Sequence, residues 1–457
     1  MKKAPTTLIV LDGFGVSKQK KGNAIRAAKT PVLDRLRSEY AHTTLAASGA
    51  DVGLPDGLPG NAEAGLLNIE AGRIVPQELP RVSRAIEDGT FFANPVLCAA
   101  VDACLEHGTS LHLMGLLSDG GTHASMDHLY ALLKLAAVRG LRRVYIHGFL
   151  DGYDVRPGTG RSYVAQAQQW CAELGVGKIA TLMGRSYAMD RDENWERVEE
   201  AYDALVYGDG AAGSDPAAAV TAAWRDGVKD WAVEPVVFER EGTVGDNDAV
   251  IFYNIRADRA SELTRVFVDP AFNAFNRETF PLHFVCLTEY GTHIPNIRAA
   301  FPRRALENEL GEYLASVGME QLRVRDAQAC VDGILSGRYD VVRLVLSGCD
   351  DAGHGGDYDA VVRAVQETDF NVGRVVDATL AMGGIAMIAG SHGNAEELLD
   401  AKGRPTGANT VNRVPFLLCG AGTELREGRL ADVAPTLLDV LGLAPPPQMD
   451  GETLILR

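Results

Sequence analysis

The sequence predicts an α/β protein built on largely parallel, buried sheets. Short apolar runs of strand length alternate with longer segments of helical periodicity along most of the chain. The loops that carry Asp, Gly, Ser and His directly follow those runs, as they do at the carboxyl ends of strands in open parallel sheets. At 457 residues the chain exceeds what one ordinary core serves, so two domains are expected.

Leu8–Leu11 is too short for a signal-peptide core or a membrane span and reads as a buried strand that ends at Asp12-Gly13. Pro95–His107 and Met126–Arg139 follow with helical spacing. Val144–His147 is the next strand, and Asp151-Gly152 comes shortly after it. Trp195–Tyr207 reads as a helix, Ala249–Tyr253 and Val341–Leu346 as strands, and Tyr358–Ala381 as a long helix. Ile385–Ile388 precedes Ser391-His392-Gly393, and Val414–Cys419 is the last apolar run. Ala444-Pro445-Pro446-Pro447 is a turn near the end of the chain, not a linker.

A net charge of -17 argues against a nucleic-acid partner, which needs a basic surface. An anionic substrate would have to be met by a local cluster of arginines. With 46% hydrophobic and 7% aromatic residues, the composition is that of a soluble globular protein, with no membrane partner. The seven cysteines are scattered and odd in number, and none forms a CxxC pair. A reducing compartment, the cytoplasm, is the expectation.

Several colinear stretches carry a family resemblance. They include Leu11-Asp12-Gly13-Phe14-Gly15, Gly22-Asn23-Ala24-Ile25, Leu111 through Gly121, and Phe149-Leu150-Asp151-Gly152. Tyr187 through Asp192, Ser391 through Glu396, and Leu430 through Thr436 complete the set. Together they resemble cofactor-independent phosphoglycerate mutase, of the alkaline phosphatase superfamily. The resemblance implies an alkaline-phosphatase-like domain at 1–75 and 303–457, interrupted by a second α/β transferase domain at 76–302. It implies an enzyme that interconverts 2- and 3-phosphoglycerate with two Mn²⁺ ions and a phosphoserine.

Against that pattern the chain departs where the chemistry sits. Gly60–Ile69 resembles a nucleophile loop of the type GNSEVGHLNI, with Ala62 where the serine would stand and Leu66 where its histidine would stand. A methyl group cannot carry a phosphoryl group. Asp12, Asp350, His354 and His392 match metal ligands of the resemblance, but Ser391 and Asn409 stand where an aspartate and a histidine would be. The four retained residues supply two carboxylates and two imidazoles, a set suited to a single Mn²⁺ or Zn²⁺. A block of several dozen family residues, with an active-site lysine, is missing between Arg323 and Val331. Losses spread this widely read as divergence rather than as one engineered trap.

The substrate side is better kept. The resemblance places His123, Asp154, Arg185, Arg191, Arg256 and Arg259 on substrate-binding motifs, and guanidinium groups suit a small dianion. The bland alternative for the arginines is surface ion pairing, and for Asp12 a helix cap. The DGRD turn of the family reads Asp151-Gly152-Tyr153-Asp154 here, so one guanidinium is lost, and Arg156 or Arg161 lies near enough in sequence to replace it. Cys349 reads as a buried small residue, and Asp351 and Glu63 as surface acids or new ligands.

The residues favour a protein that binds a small phosphate- or phosphonate-bearing acid and transfers a phosphorus group without a phosphoserine, in specialised phosphonate-type metabolism. A catalytically dead ligand-binding or regulatory homologue is the alternative, followed by a residual 2-/3-phosphoglycerate mutase.

Overall fold

A computed structural model describes residues 3–291, 293–303, 305–400 and 403–457. The chain divides into two compact units, Met1–Gln77 with Ala305–Arg457, and Glu78–Arg304.

The discontinuous unit is built on a seven-stranded sheet. Across it the strands run Gln321–Val324, Val341–Leu346, Thr6–Leu11, Ile385–Gly390, Val414–Cys419, Ala41–Ala46 and Gly428–Arg429. Thr6–Leu11 is an interior strand and is buried along its whole length. Its side chains alternate between two cores, Leu8 and Val10 with Leu45, Phe416 and Leu437, and Ile9 and Leu11 with Leu33, Val361 and Val372. A strand covered on both faces must be apolar at every position, which is why this run was legible. Each such side chain contributes about 1.5–3 kcal/mol by leaving water.

The shortened stretch after Arg323 still closes this sheet. Gln321–Val324 is an edge strand paired parallel with Val341–Leu346, and helix Ala327–Ser336 forms the crossover between them. Gly337, at φ +66°, ends that helix in the left-handed region. Arg323 and Arg343 stand opposite each other across the two strands. Both reach the buried carboxylate of Glu70, at 2.8 and 2.9 Å.

The inserted unit carries an eight-stranded sheet. Its order is Arg298–Phe301, His283–Thr288, Ala249–Phe252, Leu111–Leu117, Val144–Leu150, Lys178–Gly184, Val236–Val237 and Ala211–Ala212. All neighbours are parallel except Lys178–Gly184 with Val236–Val237. A buried polar ladder crosses the amino-terminal half of the sheet. Thr181 Oγ1 meets His147 Nδ1 at 2.9 Å, His147 Nε2 meets His112 Nδ1 at 2.9 Å, and His112 Nε2 meets Asp248 at 3.1 Å. Among the described residues no helix is long and apolar enough to cross a membrane, and all seven cysteines are free.

Burial gives this unit an acid sensitivity. It pushes His128 down to about 4, and burial together with the charge of His112 holds His147 well below the ordinary imidazole value of 6.5. Below pH ~6.5 the unfolded chain takes up protons that the folded chain refuses, so stability is full above that value and falls as pH drops. For His128 alone the loss down to pH ~4 is about 3 kcal/mol. Urea unfolding of wild type and His128→Leu at about pH 7 and about pH 4.5 checks this: the substitution should flatten the decline.

Candidate functional site

In the discontinuous unit the central strands end at one level, with Leu11 opposite both Leu346 and Gly390. Each therefore delivers its next polar residues to the same place: Asp12 after the first, Asp350 on helix Gly348–His354 after the second, and Ser391-His392 after the third. Gly13 makes this approach possible. It lies at φ +69°, and a Cβ there would stand 2.8 Å from the Asp350 backbone.

These residues form a linear hydrogen-bonded chain. Ser391 Oγ donates to Asp12 Oδ1 at 2.5 Å and lies 2.9 Å from His392 Nδ1. His392 Nε2 lies 2.8 Å from Asp350 Oδ1, and His354 Nε2 lies 3.4 Å from the same oxygen. Burial raises the Asp12 carboxyl above the ordinary carboxylate value, against the pull of Ser391 and His392. Burial also works to raise Asp350, but the hydrogen bond and charge of His392, with the charge of His354, hold it below. Ser391 and His392 are inaccessible to solvent, whereas the His354 side chain is 53% exposed.

The metal implied by the family resemblance does not fit this arrangement. An imidazole binds a metal through a nitrogen lone pair, yet both ring nitrogens of His392 face oxygen partners. Asn409 is also committed: its amide donates to Gly60 O at 3.0 Å and accepts from Asn394 at 3.1 Å. Among the described residues no three of His, Cys, Asp or Glu come together as a metal-holding group. The four residues expected to hold a single ion, Asp12, Asp350, His354 and His392, do come together, but they bond to one another and to Ser391 rather than turning an open set of donors toward one point.

Ala62 is the first residue of helix Ala62–Ala71, capped by Asn61, whose side chain accepts from Ala64 N at 2.8 Å. Gly65 on that helix faces Ser391, so the helix start borders the chain of hydrogen bonds. Leu66 packs into a core and Glu63 is exposed. Asp351 is also exposed and accepts from Ser347 Oγ at 2.8 Å. Burial raises the Cys349 thiol to about 11, which leaves it protonated and inert.

The inserted unit gathers a second cluster at the carboxyl ends of four consecutive strands. His123 follows Leu111–Leu117, the Asp151–Asp154 turn follows Val144–Leu150, Arg185 follows Lys178–Gly184, and Asn254–Arg259 follows Ala249–Phe252. Arg185 is 4% exposed and sits 2.6 Å from Asp151 and 3.1 Å from Asp154. Asp154 in turn holds His123 Nδ1 at 2.7 Å. Asp258 collects Arg191 and Arg256, each at 3.4 Å, and lies 3.7 Å from His123 Nε2, an ion-pair distance rather than a hydrogen bond. Arg259 donates to Met189 O at 3.2 Å. The six residues expected from sequence thus converge on one cluster. Arg156 and Arg161 are exposed.

Burial lowers His123, but the hydrogen bond to Asp154 and the nearby Asp258 carboxylate outweigh burial, and the imidazole is raised above its ordinary value. Two donors in this cluster are buried without a hydrogen-bond partner, His123 Nε2 and Arg185 Nε. Buried donors are nearly always satisfied, so Arg185 Nε, and His123 Nε2 with Asp258 no closer than 3.7 Å, mark a place for a nearer acceptor. Sequence reasoning missed Asp151 and Asp258 as members of the site. Both lay inside motifs already singled out, and Asp258 between two arginines was the available signal.

Comparison with known proteins follows the same outline. The family model described as "BPG-independent PGAM N-terminus" matches residues 82–292. The chain is 44% identical to the 2,3-bisphosphoglycerate-independent phosphoglycerate mutase of Moorella thermoacetica, covering 99% of this chain and 98% of the relative. It is 41% identical to that of Clostridium perfringens, with both chains fully covered. The first alignment spans 506 positions against 457 residues here, so about fifty positions of the relative have no counterpart. A crystal structure of Leishmania mexicana phosphoglycerate mutase at low cobalt concentration superposes with a TM-score of 0.76 at 26% identity, covering 99% of this chain and 98% of the other.

Proposed function

This chain belongs to the 2,3-bisphosphoglycerate-independent phosphoglycerate mutase family, and from that premise we propose that it binds a small phosphate- or phosphonate-bearing acid in its inserted unit without passing through a phosphoserine. His123, Arg185, Arg191, Arg256 and Arg259 supply the positive charge. Asp151, Asp154 and Asp258 hold His123, Arg185, Arg191 and Arg256 in place until an anion arrives, and Met189 O holds Arg259. The unpartnered buried donors of His123 and Arg185 carry this reading. In the discontinuous unit, Ala62 offers no nucleophile, and the chain Asp12–Ser391–His392–Asp350 satisfies its own polar groups without a metal. The protein is therefore a ligand-binding member of a mutase family.

A second reading, direct transfer of a phosphorus group to an acceptor, draws on one observation. His354 keeps solvent access beside Asp350, where it could take a proton from an acceptor hydroxyl. Calorimetric titration with 3-phosphoglycerate and methylphosphonate, run beside a turnover assay and mass spectrometry for a phosphoprotein, separates the readings. Binding without turnover supports the first, and product formed without a phosphoprotein supports the second. A phospho-adduct formed during turnover would overturn both.

Affinity should also follow His123. Its raised imidazole is charged below its folded value, so anion binding is strongest there and falls as pH rises through it. Phosphate esters themselves ionise near pH ~6. Sulfate, which keeps its charge, is the cleaner probe, and its affinity in wild type should decline with pH while that of His123→Gln stays flat.

A further inference from the structure

Tyr153 is 67% exposed, although it sits on the turn whose two carboxylates clamp Arg185. Its ring is nonetheless held in place. One neighbour is Trp231, with ring centroids 4.9 Å apart, and another is the Arg185 guanidinium, 5.4 Å from the Tyr153 ring centre. The backbone is arranged for this contact. Gly152 lies at φ +102°, and a Cβ there would stand 2.8 Å from the Trp231 ring. Gly184, just before Arg185, meets the Trp231 carbonyl so closely that a Cβ would fall 2.3 Å from it. Trp231 is anchored beside Asp230, which is 1% exposed and accepts from Gly158 N and Trp224 Nε1. A largely exposed tyrosine ring, braced against a half-buried tryptophan and the Arg185 guanidinium at the edge of an anion cluster, offers an ordered apolar wall to a ligand.

We propose that Tyr153 is a specificity-determining residue, and that the ligand of this site carries an aromatic or apolar substituent next to its phosphorus, which lies against the Tyr153 ring. The inference rests on the anion-binding reading of the same cluster. With an aromatic ring in place of a further guanidinium, the site offers apolar contact where a polyhydroxy acid such as glycerate would need charge or hydrogen bonds. Phosphonates and phosphate esters with aryl or alkyl groups gain from such a wall.

The test is calorimetric titration of the full chain with phenylphosphonate, methylphosphonate and 3-phosphoglycerate. Phenylphosphonate should bind at least ~tenfold more tightly than methylphosphonate. Tyr153→Ala should reduce that ratio below ~threefold, Tyr153→Phe should keep it, and Tyr153→Arg should move the preference toward 3-phosphoglycerate. Because Tyr153 is exposed, these substitutions leave the fold intact, which circular dichroism will confirm. Equal affinity for the two phosphonates, or a preference that survives Tyr153→Ala, overturns the inference and leaves the anion site standing. Failure of all three to bind removes the anion site and this inference with it.

Discussion

Ser391→Asp should make the protein's stability depend on a divalent cation, whereas the wild type should show no such dependence. The Ser391 hydroxyl now donates to Asp12 and meets His392, so the buried Asp12 carboxylate has a proton donor in place of a metal. A carboxylate in place of that hydroxyl removes the donor and sets two buried acids against each other. Uncompensated charge of this kind costs about 3–5 kcal/mol. For a unit of this size that lowers the unfolding midpoint by roughly 10 °C in the presence of a chelator. Mn²⁺ should restore it, because Asp12, the introduced carboxylate and His392 then offer oxygen and nitrogen donors to one ion. Adding Asn409→His should raise the affinity further, by about 10–100-fold. Wild type should show the same midpoint with chelator and with Mn²⁺, and carry less than stoichiometric metal by elemental mass spectrometry. A wild-type midpoint that climbs with Mn²⁺ would show that the hydrogen-bonded chain opens to admit the ion, and the metal-free reading would fall.

Much of the fold could be read before the structure because buried parallel strands leave a plain signature. Val341–Leu346 and Val414–Cys419 are strands over those bounds, and Pro95–His107 and Tyr358–Ala381 are helices over theirs. Ala41–Ala46 gave no such signal. It is mostly half-exposed and carries His42, Thr43 and Thr44, so neither an apolar run nor a clean alternation marks it. The site shows the same division. Arginines on known motifs were visible one by one, but the carboxylates that hold them, Asp151 and Asp258, were not, since an acid beside an arginine has many bland explanations. Ser391 was read only as a lost ligand. That its hydroxyl would join Asp12, 379 positions away, to His392 depends on strand order, and no local pattern encodes strand order.

Arg185 is the position where ligand binding and stability are most tightly joined, and Arg185→Met should damage both. Its guanidinium serves Asp151, which is 1% exposed, and Asp154. Removing one partner of a buried pair costs up to about 3–5 kcal/mol. Here the effect should fall near the lower end, about 3 kcal/mol, because Asp151 keeps other donors that share its charge. Those are the Ser118 hydroxyl at 2.6 Å and the backbone N–H groups of Tyr153 and Asp154 at 3.1 Å. Asp154 keeps only His123 from the pairs that now hold it below the ordinary carboxylate value against burial, so it should rise in the variant. Affinity for 3-phosphoglycerate or a phosphonate should fall by at least ~100-fold, the loss of a charge-assisted contact from a buried guanidinium. Arg191→Ala is the matched control. Its side chain is 50% exposed and pairs with Asp258 at 3.4 Å, so stability should change by no more than about 0.5 kcal/mol while affinity still drops. Urea unfolding and calorimetry on the two variants separate the roles. If Arg191→Ala leaves affinity untouched, the outer arginines are ordinary surface ion pairs, and the binding site narrows to His123 and Arg185.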